Sequence, residues 1–229
     1  MDRSLLGPVV AEAVGTFLFF VVGIGSIVAP IQAGGTPELV AVALAHGVVL
    51  AVLVSVFGHI SGGQLNPAVS VALWISGHQG TVRTVAVVAA QLIGAVAAGL
   101  AIRGVASVDA VNAAKLGVPV LGPGTSDLQG IAIEGLTTAV LVLAVYGTAI
   151  DRRGPKVGGL AIGLALAAGI LFGGPLTGGA LNRARWFGPA VAGGYFDAWY
   201  VWWIGPLAGA AAVALLWRYL FAGEASAGS

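Results

Sequence analysis

Hydrophobic residues in this chain come in long unbroken runs, without the alternation of a half-buried strand or the one-sided stripe of a helix facing water. The runs cover 9–29, 39–57, 84–102 and 131–150, a fifth ends at Phe172, and a sixth covers 198–221. A run of about twenty residues in a helix matches the roughly 30 Å hydrocarbon core of a bilayer. The pattern therefore predicts six membrane-crossing helices. Two shorter apolar stretches, 67–75 and about 183–191, each follow a glycine-rich approach that ends in asparagine: Ser61-Gly62-Gly63-Gln64-Leu65-Asn66 and Thr177-Gly178-Gly179-Ala180-Leu181-Asn182. Asn66 and Asn182 stand where helix caps belong, and Pro67 takes the favoured first helical position. A helix of about ten residues is only ~15 Å long, so each stretch is predicted to reach half-way and meet the other end to end. Their positive N-terminal ends then face each other at the midplane.

The two halves repeat. An acidic residue inside an apolar helix (Glu12, Glu134) is followed by two further spans' worth of chain and then by Gly-Gly-x-Leu-Asn. Three full crossings per half is an odd number, so the second half must be inverted relative to the first. The repeats are placed at about 9–103 and 130–221 of a single domain covering 1–229. A polar, Gly- and Pro-containing connection at 103–129 divides them, and the tail at 222–229 reads as disordered. Arg3, Arg83, Arg152, Arg153, Lys156 and Arg218 fall on one side of this arrangement, and Arg103, Lys115, Arg183 and Arg185 on the other. The excess predicts that both termini are cytoplasmic. Glu12, and the lack of a small-residue cleavage site after the first run, argue for a retained helix over a signal peptide.

Composition sharpens this into a polytopic membrane protein: 58% of residues are hydrophobic and 8% charged, with 37 glycines and a mean hydropathy of +0.99. Small residues let helices in lipid approach closely. The formal net charge of +1 leaves no footprint for nucleic acid, and zero cysteines exclude disulfides, thiolate metal sites and a cysteine nucleophile. No nucleophile–base arrangement and no metal cluster is visible, so neither an enzyme nor a cofactor is expected.

Gly58-His59-Ile60-Ser61-Gly62-Gly63-Gln64-Leu65-Asn66-Pro67-Ala68-Val69 resembles the first signature of the aquaporin and aquaglyceroporin (major intrinsic protein) family. Leu181-Asn182-Arg183-Ala184-Arg185-Trp186-Phe187-Gly188-Pro189-Ala190 resembles the second, which there usually reads Asn-Pro-Ala-Arg. The resemblance implies an all-α membrane fold of six helices plus two re-entrant half-helices in an inverted repeat. It also implies a homotetramer with one pore per subunit, passing water or small neutral solutes. By the family's spacing from the two asparagines, the filter positions are His46, Ile170, Gly179 and Arg185. That quartet is similar to one group of plant tonoplast intrinsic proteins, for which the family implies water and ammonia. Glycerol facilitators usually carry an aspartate after the filter arginine, where Trp186 stands here.

Each singled-out residue also has a plainer reading. Asn66 and Asn182 could be caps at packed junctions, and His46 a satisfied core histidine. His59 is placed in the cytoplasmic vestibule and His78 in solvent. Glu12 and Glu134 are either proton-coupling groups of a transporter or, as the resemblance implies, braces for the re-entrant loops. Trp199, Trp202 and Trp203 read as an interfacial belt. Backbone carbonyls around Gly58 to Ser61 and Gly174 to Thr177 are expected to line the lumen. Arg183 departs from the family's proline. A mid-membrane cation calls for a buried acid, and Glu12 is the expected partner. Three functions remain: a passive channel for water and small neutral solutes, ammonia among them, with a glycerol or polyol facilitator as its variant; a coupled transporter; and a closed structural protein of the same fold. The plasma (inner) membrane is the expected host.

Overall fold

In the computed structural model, which describes residues 3–221, every regular element is a helix. In chain order they are α1 (Arg3–Gln32), α2 (Leu39–Ser61), α3 (Pro67–Ile75), α4 (Thr81–Val105), α5 (Val108–Ala113), α6 (Asp127–Val145), α7 (Gly158–Thr177), α8 (Arg183–Gly193) and α9 (Val201–Leu216). A short 3-10 turn at Lys115–Gly117 follows α5, and α6 and α9 widen to π geometry at Tyr146–Ile150 and Trp217–Phe221. Helices α1, α2, α4, α6, α7 and α9, the π-helical ends of α6 and α9 included, are long and apolar enough to cross a membrane. Several overrun the apolar runs that announced them. The 30 residues of α1 make about 45 Å of helix, enough to pass the headgroups as well as the hydrocarbon. The expected disordered tail, 222–229, lies outside the described residues.

The six-span pattern faces outward as lipid requires. Val10, Val14, Leu18 and Val22 on α1, and Val40, Leu44, Val48, Val52, Val56 and Ile60 on α2, recur every fourth residue and are all exposed. A four-residue step keeps side chains on one helix face, and an apolar face left open is stable against lipid tails. Inward lie Phe19, Phe20, Ile24, Leu65, Leu141, Tyr146 and Leu181.

Packing repeats between the halves. Helix α1 lies on α4 and α2, while α6 lies on α9 and α7, and α2 against α7 joins the two sets. At that joint Gly47 and Gly163 bring the backbones together: a Cβ at Gly163 would fall 2.2 Å from the Gly47 carbonyl oxygen. In lipid this close approach replaces the hydrophobic effect as the force that holds helices together. The half-helices cross over. First-half α3 packs on second-half α9, and second-half α8 packs on first-half α4.

The connection at 103–129 is more ordered than its composition suggested. Ser107 caps α5 through its hydroxyl, Ser126 and Gln129 form a reciprocal capping box for α6, and Leu116 is fully buried. Lys115 and Leu116 take left-handed backbone conformations, with φ of 46° and 51°, and this turn carries the chain down onto α1 and α8. Between α6 and α7, Arg153 holds the Asp151 carboxyl well below the usual carboxylate range, at about 2.

Candidate functional site

The half-helices begin where their asparagines cap them. Asn66 Oδ1 accepts from the Ala68 amide at 2.9 Å, and Asn182 Oδ1 from the Ala184 amide at 2.9 Å. Each side-chain nitrogen then reaches across. Asn66 Nδ2 donates to the Leu181 carbonyl at 2.9 Å, and Asn182 Nδ2 to the Leu65 carbonyl at 2.8 Å. Those carbonyls point inward because Leu65 and Leu181 sit in the left-handed region at φ 48° and 52°. Such a conformation costs a non-glycine residue about 1–2 kcal/mol, and reciprocal bonds between buried groups hold it. The two motifs thus form one junction: Asn66, Asn182, Ala68 and Ala184 are all buried, with Pro67 and Arg183 at the first positions of α3 and α8.

Behind each approach loop stands a glutamate that is completely buried. Glu12 Oε1 accepts from the Ser61 hydroxyl at 2.6 Å and the Gln64 amide at 2.8 Å, and Oε2 from the Leu65 amide at 2.7 Å and the Gln91 side chain at 2.7 Å. Glu134 repeats the scheme with the Thr177 hydroxyl at 2.6 Å, the Ala180 amide at 2.9 Å and the Leu181 amide at 2.8 Å. A loop without helix or sheet must place its N–H groups somewhere, and a carboxylate accepts several of them at once.

The lumen-facing carbonyls were expected at Gly58 to Ser61 and Gly174 to Thr177, and the structure moves them. Both stretches finish α2 and α7 as helix. Gly58 and Gly174 carbonyls accept from Gly62 and Gly178 amides, Ser61 O from Arg83, and Thr177 O from Trp202. The non-helical stretches are 62–65 and 178–181, and Gly62, Gly63 and Gln64 line a cavity of about 60 Å³ together with Asn66, Asn182, Phe19, Leu50 and Leu166. That is room for a short file of waters. His59 lies exposed in the last turn of α2 and is not part of this wall, and His78 is exposed with its ring against Ser76.

Of the four filter positions, His46 and Arg185 meet directly. His46 Nδ1 lies 2.8 Å from the Val42 carbonyl, which assigns the proton to that nitrogen and leaves Nε2 to accept from Arg185 Nε at 3.1 Å. Arg185 also donates to the Gly117 carbonyl at 2.7 Å. Nothing in the sequence marks Gly117, because a backbone acceptor has no side-chain signature. Nor does the sequence show Gly23, which leaves the His46 ring its space: a Cβ there would lie 2.6 Å from Nε2. Its one cue was a glycine in mid-span. Ile170 and Gly179 adjoin each other, with a Cβ on Gly179 falling 3.0 Å from Ile170 Cα.

Arg183 does not pair with Glu12. Its guanidinium lies over the Trp203 ring, 4.0 Å from the ring centre, while both glutamates are taken up by the loops. The reason is direction: α8 packs on α4 and α9, so its first residue looks outward to α9 and the glutamates stand behind the loops. The tryptophan belt needs the same correction. Trp199 is exposed, but Trp202 is buried, donates to Thr177 O and stacks on Trp186. Arg183→Ala is accordingly expected to cost about 1 kcal/mol, the size of a cation–π contact, with no orphaned carboxylate. Thermal denaturation in detergent measures it, and a collapse of the fold would restore the acid partner.

Comparison with known proteins fits this geometry. The family described as "Major intrinsic protein" matches residues 2–217. Aquaporin TIP4-4 of Zea mays is 41% identical, with 96% of this chain and 88% of that protein covered. Aquaporin TIP2-1 of Arabidopsis thaliana is 38% identical over 93% of this chain and 87% of its own length, and Aquaporin-2 of Bos taurus 39% identical over 93% and 78%. The structure of the aquaglyceroporin from Plasmodium falciparum superposes with a TM-score of 0.80 at 21% identity, covering 95% of this chain and 97% of that one, which is a likeness of fold. A match along almost the whole chain, joined to six spans and two half-helices meeting at paired asparagines, makes this protein a member of the major intrinsic protein family.

Proposed function

We propose that this protein is a passive transmembrane channel for water and small neutral solutes, with Asn66 and Asn182 at its centre and His46, Ile170, Gly179 and Arg185 at its filter. The observation that carries the reading is the reciprocal pair of hydrogen bonds between the asparagines and the opposite loops. Each amide is held at its oxygen by its own half-helix and at one N–H by the other loop. Its second N–H remains for a molecule in the lumen. A water that accepts from both turns its hydrogens outward, so a chain of waters cannot hand a proton through this point. The two helix N-termini add a positive potential there. A coupled transporter would need free ionisable groups along the path, and Glu12 and Glu134 are committed to the loops.

Proteoliposomes carrying the protein should shrink faster than bare liposomes in an osmotic light-scattering experiment. Rates equal to bare liposomes would favour a closed structural protein. The apolar, open side made by Ile170 and Gly179 supports ammonia as a second permeant. Ile170→His adds a polar group and narrows that wall, so the ratio of ammonia to water permeability is expected to fall several-fold. An unchanged ratio would remove Ile170 from the filter.

The family resemblance supports a homotetramer, and the charge distribution supports termini on the cytoplasmic side. Multi-pass membrane insertion follows from the six spans. The TIP relatives favour the tonoplast over the plasma (inner) membrane expected from the sequence.

A further inference from the structure

The site described above leaves one cation unused. Arg183 opens α8 where α3 has Pro67. Its Nε is buried with no hydrogen-bond partner, and the guanidinium rests on the face of Trp203. No carboxylate compensates it: the ion pair found among the described residues is Arg153–Asp151, at the far loop between α6 and α7. An aromatic face attracts a cation through its quadrupole but brings no net negative charge. The whole unit of charge therefore stays at the N-terminal end of α8, which is already the positive end of that helix.

We propose that Arg183 is a specificity-determining residue of the channel, an off-axis positive charge that keeps cations and hydronium out of the asparagine junction. The proposal rests on the reading of the chain as a channel. Neighbouring Cα atoms are about 3.8 Å apart, which puts the guanidinium on the order of 10 Å from the Asn182 amide. Like charges at that distance, in a medium with an effective dielectric constant of about 20, repel strongly enough to lower the occupancy of a cation roughly tenfold. Salt screens this little, because Asn182 is buried and the space between is protein.

Arg185 acts at another level. It is tied to His46 and to the Gly117 carbonyl, at the filter, while Arg183 adjoins the asparagines. Two barriers in series make either one alone partly redundant. This accounts for a cation standing where the family's usual residue is an uncharged proline: the helix needs no proline at its first position, and the charge acts where cation exclusion matters most.

The test uses the full chain in proteoliposomes with a trapped pH dye and a clamped membrane potential, and water flux on the same vesicles reports that each variant is a folded channel. Arg185→Val is compared with Arg185→Val/Arg183→Met and with Arg185→Val/Arg183→Lys. Proton flux in the methionine double variant should be about tenfold above that of Arg185→Val, and the lysine double variant should stay close to Arg185→Val, since it keeps the charge and loses the planar stack. Equal flux in all three would overturn the proposal. So would a lysine variant as leaky as the methionine one, which would make Arg183 a packing residue. Water flux of the unaltered protein equal to bare liposomes would overturn the channel reading and the charge assignment with it.

Discussion

Glu12→Ala is expected to abolish the folded channel, with no monodisperse protein surviving extraction into detergent. The carboxylate is fully buried and accepts from the Ser61 hydroxyl, the Gln64 and Leu65 amides and the Gln91 side chain. Alanine leaves those four donors in a dry interior, and each unsatisfied buried group costs about 1–3 kcal/mol. Their sum is comparable with a typical folding stability of about 5–15 kcal/mol. Glu134→Ala removes three such bonds and should be nearly as severe. The glutamine variants separate the two sites. At Glu12 each oxygen accepts twice, so whichever way the amide is turned its new NH₂ group meets one backbone N–H and also forces either the Ser61 hydroxyl to reverse or the Gln91 amide to flip away from Ser70. At Glu134 the second oxygen accepts only from the Leu181 amide, so a single clash remains. Glu12→Gln should therefore melt well below Glu134→Gln in size-exclusion thermal scans. Equal melting temperatures, or an alanine variant as stable as the parent, would show that the loops are held by something else.

The half-helices were legible in the sequence because their signals are local. A capping asparagine and a length of about ten residues, with a proline at the first position of α3, placed α3 and α8 within two residues of where they lie. The spans were legible for a similar reason, since lipid leaves a long apolar run few alternatives. What escaped was everything carried by backbone or by distance. Gly117 offers Arg185 a carbonyl from a connection that read as a loop, and that carbonyl arrives through two left-handed residues, Lys115 and Leu116, that no pattern marks. The sequence alone points Arg183 at a carboxylate, because charge asks for charge. An arginine can also stack on an aromatic face, as Arg183 does on Trp203, a residue that reads in the sequence only as part of a belt. Glu12 was a candidate for two roles, and only the direction of four donors distinguishes a brace from a proton carrier.

Gly62 and Gly178 close α2 and α7 in the same way, yet alanine at the two positions is expected to differ sharply in effect. Both take the left-handed conformation, φ 95° and 77°, and both donate back to the fourth residue before them, Gly58 and Gly174. The backbone cost of a side chain there, about 1–2 kcal/mol, is shared. The surroundings are not. A Cβ on Gly62 would meet nothing nearer than the flexible end of Gln64, at 3.5 Å, whereas one on Gly178 would lie 2.7 Å from Pro119 Cα. Backbone cannot rotate out of the way, so the connection itself must shift, adding about 1–3 kcal/mol of overpacking. Pro119 is two residues from Gly117, whose carbonyl holds Arg185 at 2.7 Å. Displacing Pro119 therefore loosens the arginine of the filter as well as the fold. Gly178→Ala should melt clearly below Gly62→Ala and should alter the water-to-ammonia ratio in liposomes, while Gly62→Ala, on the far side of the asparagine junction, should leave that ratio where it was. Matching losses of stability together with an unchanged ratio in both variants would mean that the connection does not position Arg185.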